Sequence, residues 1–508
     1  MSVTSLNQAR PTQSLTGHVD VLIVGAGISG IGLGHYLVTD QPGRTFGIVD
    51  SRDAIGGTWD LFRYPGIRSD SDLHTFAYAF KPWTSDNAIA DAHEILDYLH
   101  EVVDEDDLAR RIYLQHKVLR ANFDSETAQW TVTLEQDGQR WEVTCDFLFA
   151  AAGYYDYSAG HRPHFEGEED YQGVIVHPQF WPEDLDYAGK KVVVIGSGAT
   201  AVTLIPAMAD ATAHITMLQR SPTYMLSLPR KDPVANGLRK VLPAKLAYRI
   251  TRELNKGRQR LIYNMGQRHP KVSRRLIRAL NARALPKGYD LDKHFSPTYK
   301  PWDQRLCAVP DRDLFKAISK GKASVVTDKI VRFTRNGILL ESGEELEADI
   351  IVTATGLQLL AFGGMQIAVD GQQPDLHEKL AYKSFMVSDI PNFAYSFGYT
   401  NSSWTLKVDL ICEHLCRLLT FMDQRGYTTV VPVVNDPNMP KRPLLDFPAG
   451  YILRSIQKFP QQGTSGPWTV EMNFRADYQR LHKGPVENSA LKFSTAARAA
   501  AMSGAATA

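Results

Sequence analysis

The sequence predicts an α/β fold that uses one strand-turn-helix unit twice and carries a helical insertion. An apolar run at 19–24 passes directly into Gly25-Ala-Gly27-Ile-Ser-Gly30, and Lys191-Val-Val-Val-Ile195 passes into Gly196-Ser-Gly198-Ala199-Thr200-Ala201. Between 229 and 287 the patterning becomes helical and basic. In each turn the first glycine permits the bend, the second lets a pyrophosphate approach the backbone, and the third small residue lets helix and strand pack closely. Two Rossmann-like dinucleotide-binding domains follow from these repeats.

The chain has 508 residues, 44% hydrophobic and 22% charged, enough for several cores. Its formal net charge is zero, which gives no electrostatic case for a nucleic-acid partner. The four cysteines (Cys145, Cys307, Cys412 and Cys416) form no CxxC pair, so neither a disulfide scaffold nor a dithiol centre is expected, and a reducing cytoplasm fits best. Residues 1–18 are polar, unlike a signal peptide, and no run of about 18 apolar residues offers a transmembrane segment. The Ala-rich stretch 494–508 reads as a disordered tail, with a short frayed helix as the alternative.

Taken in order, the strand at 19–24 and its glycines lead into a helix reaching Val38, then a strand at 45–49 that ends in Asp50. An acid about 20 residues past the last glycine is placed to bind ribose hydroxyls. Residues 56–70 are too rich in Gly, Pro and aromatics for regular structure. A helix follows at 93–103, then strands at 130–134 and 141–149. The stretch 154–188, with its His, Pro and aromatic residues, reads as a linker. The next strand, 214–218, ends in Gln219-Arg220-Ser221 instead of an acid. A guanidinium and a hydroxyl suit a 2′-phosphate, which a carboxylate would repel. The second cofactor therefore reads as NADPH and the first, by elimination, as FAD.

From 238 to 287 there are fifteen Lys and Arg against one Glu. A solvated helical insertion is the main reading, and peripheral contact with a membrane surface is the lesser one. Strands are expected at 323–326, 338–340 and 349–352, and a helix at 406–425. On that helix Cys412 and Cys416 share a face that His414 does not, so no metal site is expected. The implied organisation is 1–155 for the first part of the FAD domain and 156–225 for the linker and first part of the NADP domain. Residues 226–299 form the insertion, 300–355 complete the NADP domain and 356–508 the FAD domain.

Two signatures carry a resemblance over essentially the whole chain. Tyr171, Gly173, His177 and Trp181 match FxGxxxHxxxW with Tyr for Phe, and Gly57, Trp59, Tyr64, Pro65, Gly66 and Asp70 match [AG]GxWxxxx[FY]P[GM]xxxD. The chain thus resembles the type I Baeyer-Villiger monooxygenases, class B flavoprotein monooxygenases. Residues 57–72, 177–203 and 301–307 are similar to the subgroup of the ethionamide-activating and long-chain-alkane-linked enzymes. The resemblance implies an enzyme that uses NADPH and O2 to insert one oxygen beside a ketone carbonyl through a flavin C4a-peroxide, with sulfoxidation as a side activity. It assigns Arg305 as the cation beside the flavin and Asp70 as its partner. Thr58, Trp59 and Asp70 become flavin-side contacts, and Gly173, His177 and Trp181 a hinge. The family has a lysine before the arginine where this chain has Gln304, which leaves Arg220 as the principal phosphate ligand. Trp404 and Leu357 are candidates for a lipophilic substrate site. Oxidation of long-chain aliphatic compounds and an uncoupled NADPH oxidase are the alternative activities.

Overall fold

The computed structural model describes residues 14–303, 306–445 and 450–496. Most of the expected disordered tail and of the polar N-terminal stretch, together with Gln304 and Arg305, lie outside the described residues.

The first unit is β1 (Gly17–Val24), α1 (Ile28–Asp40) and β2 (Phe46–Val49). Val21, Leu22 and Ile23 have no exposed surface, as a parallel strand covered on both faces requires. β1 runs parallel to β2, with Val21 opposite Phe46. α2 (Ala92–Glu105) starts at a capping box in which Asp91 and Glu94 satisfy each other's backbone amides. An antiparallel meander follows: β3 (Lys117–Asp124), β4 (Gln129–Gln136) and β5 (Gln139–Ala150). β5 returns to the parallel sheet beside β1, with Phe147 opposite Val21. β3 was not expected from the sequence. Its pairing with β4 shifts register between Val118 and Arg120, and that irregularity breaks the period-two pattern that marks a strand.

The stretch read as linker holds two short strands, β6 (Tyr155–Gly160) and β7 (Val174–Val176). β7 is the edge strand of the second sheet, and three residues are too few to show periodicity. That sheet continues through β8 (Lys191–Ile195), α3 (Ala199–Met208) and β9 (His214–Gln219). The insertion comes next, as α4 (Pro233–Val241), α5 (Ala244–Arg268) and α6 (Pro270–Ala282). The chain returns through β10 (Leu306–Pro310), α7 (Asp313–Ser319), β11 (Ala323–Thr327) and β12 (Ile350–Thr353). The strand order is β11-β9-β8-β12-β7, all parallel.

β13 (Leu357–Leu359) then runs antiparallel to β6, so the outgoing and returning crossings form one two-stranded ribbon. Residues 393–395 add to β5 in parallel, and α8 (Thr405–Arg425) buries most of its length beside α1. No helix among the described residues is long and apolar enough to cross a membrane.

The insertion differs from the solvated one expected. α5 is anchored in the interior by Arg252, which is 7% exposed. Its guanidinium donates to Asp409 Oδ2 on α8 (2.9 Å) and to the carbonyls of Ala77 (2.6 Å), His74 (3.2 Å) and Thr75 (3.2 Å). A count of basic residues cannot separate this buried cation from its exposed neighbours. Burial pushes the Asp409 carboxyl up to about 6, with Arg252 opposing the rise. Arg252→Ala strands that carboxylate and is expected to lower the unfolding free energy by about 3–5 kcal/mol in urea titrations at pH 7. The deficit should shrink at pH 5, where Asp409 is mostly protonated in both proteins, because only the carboxylate needs the guanidinium. A loss that does not change with pH would mean that packing, not the ion pair, anchors the helix.

Candidate functional site

The turn after β1 forms a cradle of backbone amides. Gly25 has φ +115°, and a Cβ at Gly30 would collide with the Gly25 carbonyl, so the helix can approach only because side chains are missing. α1 starts at Gly27 with no side-chain cap and no acid in its first turn, which leaves its N–H groups and positive dipole end for an anion. At the end of β2, Asp50 accepts from the amides of Ala26 (2.7 Å) and Arg52 (3.0 Å). Burial pushes its carboxyl up, and those amides pull it back toward the charged form. The donor set fits a flavin dinucleotide: amides for the pyrophosphate and an acid for the ribose.

One cavity of about 900 Å3 opens from this cradle. Gly25, Gly27, Asp50, Thr58, Trp59 and Asp70 all lie on its wall. Gly30 sits behind the turn in a packing role. The far wall comes from the insertion and the second domain, with Leu226, Leu228, Ile262, Tyr263 and Trp302 apolar and Arg258 and Gln259 polar. Trp302 has φ +75°, an unfavourable conformation for an aromatic residue, and its ring packs over Gly266 and edge-on to Tyr263 (5.9 Å). Trp404 lines the cavity too. Its Nε1 donates to Ser29 Oγ (3.0 Å), and its ring stacks on Tyr154 (5.3 Å). Leu357 does not line the cavity; it pairs with Gly160 in the ribbon.

The loop 57–70 reaches from the cradle to the second fingerprint. Gly66, at φ +77°, rests on α3, where a Cβ would lie 2.6 Å from Ala207 Cβ and 3.0 Å from the Thr203 carbonyl. The buried Tyr64 hydroxyl hydrogen-bonds Thr200 in the first turn of α3. Burial raises the Tyr64 pKa, and the Thr200 bond opposes the rise. Arg68 binds Asp313 on α7 (2.5 Å). One loop thus touches both nucleotide turns.

α3 starts at Gly198, again without a side-chain cap or an acid in the first turn, with open space where a Cβ would point. Ala199 and Thr200 form that first turn, and Ala201 is fully buried against the strand. Arg220 and Ser221 are exposed just beyond β9, and among the described residues Arg220 has no hydrogen-bond or ion-pair partner. Gly196, Gly198, Ala199, Thr200, Arg220 and Ser221 fall outside the cavity wall, which approaches them through Cys307 of β10.

His177 pins the ribbon. Its Nδ1 accepts from the Gln179 amide (3.2 Å), so Nε2 carries the proton and donates to the Gly356 carbonyl (3.2 Å). Burial lowers its pKa and favours this neutral tautomer, while the bond to Gly356 opposes the shift. The ring lies against Gly160, where a Cβ would clash with it. Gly173 leaves room for the Tyr171 hydroxyl, which donates to the Ala348 carbonyl (2.9 Å). Trp181 packs on the core of the second domain.

Sequence reasoning missed Gln259, Ile262, Tyr263 and Ser402. Gln259 Nε2 donates to Asp72 Oδ2 (2.6 Å), and Ser402 Oγ donates to Gln259 Oε1 (2.6 Å), which ties the insertion to the flavin side of the cavity. For Gln259, Ile262 and Tyr263 the available signal was their i, i+3 and i+4 spacing on one face of α5; Ser402 offered none.

Comparisons with known proteins agree with this geometry. The family model described as pyridine nucleotide-disulphide oxidoreductase matches residues 22–235. The chain is 50% identical to the FAD-containing monooxygenase EthA of Mycobacterium tuberculosis (strain CDC 1551 / Oshkosh) over 94% of this chain and 98% of that protein. The chain belongs to the FAD-containing monooxygenases. It is also 48% identical to the probable FAD-binding monooxygenase AlmA of Acinetobacter baylyi (strain ATCC 33305 / BD413 / ADP1), over 94% of this chain and 96% of that protein. A solved structure of oxidised steroid monooxygenase bound to NADP shares the fold, with a TM-score of 0.74 at 20% identity, covering 94% of this chain and all of that one. The two-domain α/β fold expected from the sequence is thus shared with a solved monooxygenase. The disulphide-oxidoreductase match reflects shared architecture, because all four cysteines are free and buried.

Since Gly66 is where the flavin-side loop meets α3, Gly66→Val should leave bound FAD near wild type. Flavin reduction by NADPH should slow by on the order of 100-fold, as expected for misplaced reactants. Stopped-flow absorbance measures this, and an unchanged reduction rate would remove the loop from domain coupling.

Proposed function

We propose that this monooxygenase uses NADPH and O2 to convert a lipophilic ketone to an ester or lactone, with sulfoxidation of thioethers as a side activity. The observation that carries the reading is a cavity of about 900 Å3 in which the flavin cradle, Trp59 and Asp70 face an apolar wall of Leu226, Leu228, Ile262 and Trp302. Reduced flavin, when bound, supplies the activation of O2, with one oxygen atom entering the product and the other leaving as water. The chain's own residues bind, orient and exclude water. The α1 amides hold the pyrophosphate and Asp50 the ribose. Arg220 and Ser221, exposed beside the open turn at Gly198, hold the 2′-phosphate of NADPH.

Arg305 lies outside the described residues. Trp302, Asp303 and Leu306, on either side of it in the chain, line the cavity. In this reading Arg305 stabilises developing negative charge next to the carbonyl, since a guanidinium does not titrate near neutrality as a lysine in a buried site can. Asp70, on the same wall, orients that guanidinium. The hinge at Gly173, His177 and Trp181 lets the two nucleotide domains move together while the pinned ribbon limits the path.

A second reading, oxidation of long-chain aliphatic compounds, draws on the same apolar wall. Product analysis with 2-alkanones, alkyl sulfides and n-alkanes under NADPH and O2 separates the two. Ester formation from 2-alkanones supports the first, and hydrogen peroxide release equal to NADPH consumed with every compound would overturn both.

Arg305→Ala should keep FAD and NADPH binding and lower ester formation by on the order of 100- to 1,000-fold, the usual loss for one oxyanion-stabilising group. Ester yield near wild type in gas chromatography would exclude the assigned role. Arg220→Ala should raise KM for NADPH by about tenfold or more, as loss of a charge-assisted hydrogen bond does, and leave NADH nearly unaffected. Parallel losses with both coenzymes would contradict recognition of the 2′-phosphate.

A further inference from the structure

Eleven large hydrophobic side chains are exposed among the described residues, and seven of them lie on α4, α5 and α6. Val234 and Val241 lie on α4, Leu246, Leu254 and Leu261 on α5, and Val272 and Leu276 on α6, with exposures from 43% at Leu246 to 75% at Val241. Their spacing is regular. Val234 and Val241 are seven residues apart, as are Leu254 and Leu261, Leu246 precedes Leu254 by eight, and Val272 and Leu276 are four apart. Each set therefore forms an outward stripe along its helix.

The same three helices and the turn after them hold unpaired cations. Lys240, Lys245, Arg249, Arg260 and Arg268 are exposed on α4 and α5, and Lys271, Arg275, Arg283 and Lys287 on α6 and just beyond it. None of the nine side chains has a hydrogen-bond or ion-pair partner among the described residues. The other cations of the insertion are engaged: Arg239 with Asp86, Arg252 with Asp409, Lys256 with Glu253, Arg258 with Asp232, and Arg278 with Asp292. Arg274 bonds Tyr224 Oη and the carbonyls of Thr298 and Tyr299. The only acid of the stretch, Glu253, is taken by Lys256. The outward face is thus apolar stripes among uncompensated positive charge, on a protein whose net charge is zero.

We propose that α4–α6 form a docking face for an anionic lipid bilayer, with the leucine and valine stripes entering the headgroup-acyl boundary and the nine cations meeting lipid phosphates. A protein partner would need matching acids and a hydrophobic surface together; an anionic bilayer supplies both everywhere on its surface. The inward side of α5 carries Gln259, Ile262 and Tyr263 on the cavity wall. Docking therefore leaves roughly one helix diameter, about 10–12 Å, between the lipid and the cavity. This inference concerns where the enzyme sits and does not depend on which compound it oxygenates.

The test is flotation of the FAD-loaded full chain with vesicles of phosphatidylcholine alone or with phosphatidylglycerol at about one lipid in three. Binding should be at least about tenfold tighter with phosphatidylglycerol and should fall by a similar factor at high salt. Lys271→Glu with Arg275→Glu, and separately Leu261→Gln with Leu276→Gln, should each cost about tenfold or more in vesicle binding while FAD content and NADPH oxidation with a water-soluble ketone stay at wild-type levels. Equal binding to neutral and anionic vesicles, or retention of wild-type binding by both variants, would overturn the proposal. So would a dimer in solution that the leucine variant dissolves, since the face would then belong to a second copy. If either variant loses FAD, the lipid and salt dependence of the wild-type protein decides by itself.

Discussion

The contact of Gly66 with α3 is the constraint on which the rest of the structure depends. Two dinucleotide turns stand on separate parallel sheets, and the chemistry needs their bound groups to meet. Each turn is built from its own strand and helix, and neither has a local reason to face the other. The 57–70 loop supplies that relation. It leaves the cradle at Gly57, places Trp59 and Asp70 on the cavity wall, and rests Tyr64 on Thr200 in the first turn of α3 and Gly66 on Thr203 and Ala207 further along it. A glycine suits the contact because its φ is +77° and a Cβ would lie 2.6 Å from Ala207 Cβ and 3.0 Å from the Thr203 carbonyl.

The two crossings between the sheets complete this relation. β6 and β13 pair with each other, and His177 bonds the Gly356 carbonyl across them. A paired ribbon bends at its ends more easily than it shears. The two crossings are therefore held side by side. The histidine is held as a neutral donor and acceptor between the Gln179 amide and the Gly356 carbonyl. α5 adds a third connection, through Arg252 and Gln259, and turns the insertion into a wall of the cavity.

Much of this was legible in the chain. The two fingerprints are local motifs, since the requirements for a tight turn, a close phosphate and a close helix fall within six consecutive residues. Asp50 and Arg220 are legible for the same reason, each following its strand at a set distance. The short strands β6, β7 and β13 were not legible, because three to six residues carry no reliable periodicity. β3 was hidden by its register shift. α5 was misread because composition records charge and not direction: Arg252 is buried, Arg260 is exposed, and both count alike.

The amino-acid sequence by itself determined the class of the protein and the order of its two glycine-rich turns, because backbone sterics act within a few residues. Only the tertiary structure decided that Gly66 meets α3, that His177 closes the ribbon at Gly356, and that one face of a basic helix lines the cavity while the other carries an apolar stripe. Those contacts join residues from about 140 to 180 positions apart, as Gly66 to Thr203 and His177 to Gly356 show. Long-range packing selects them, and no local pattern records which distant backbone will arrive.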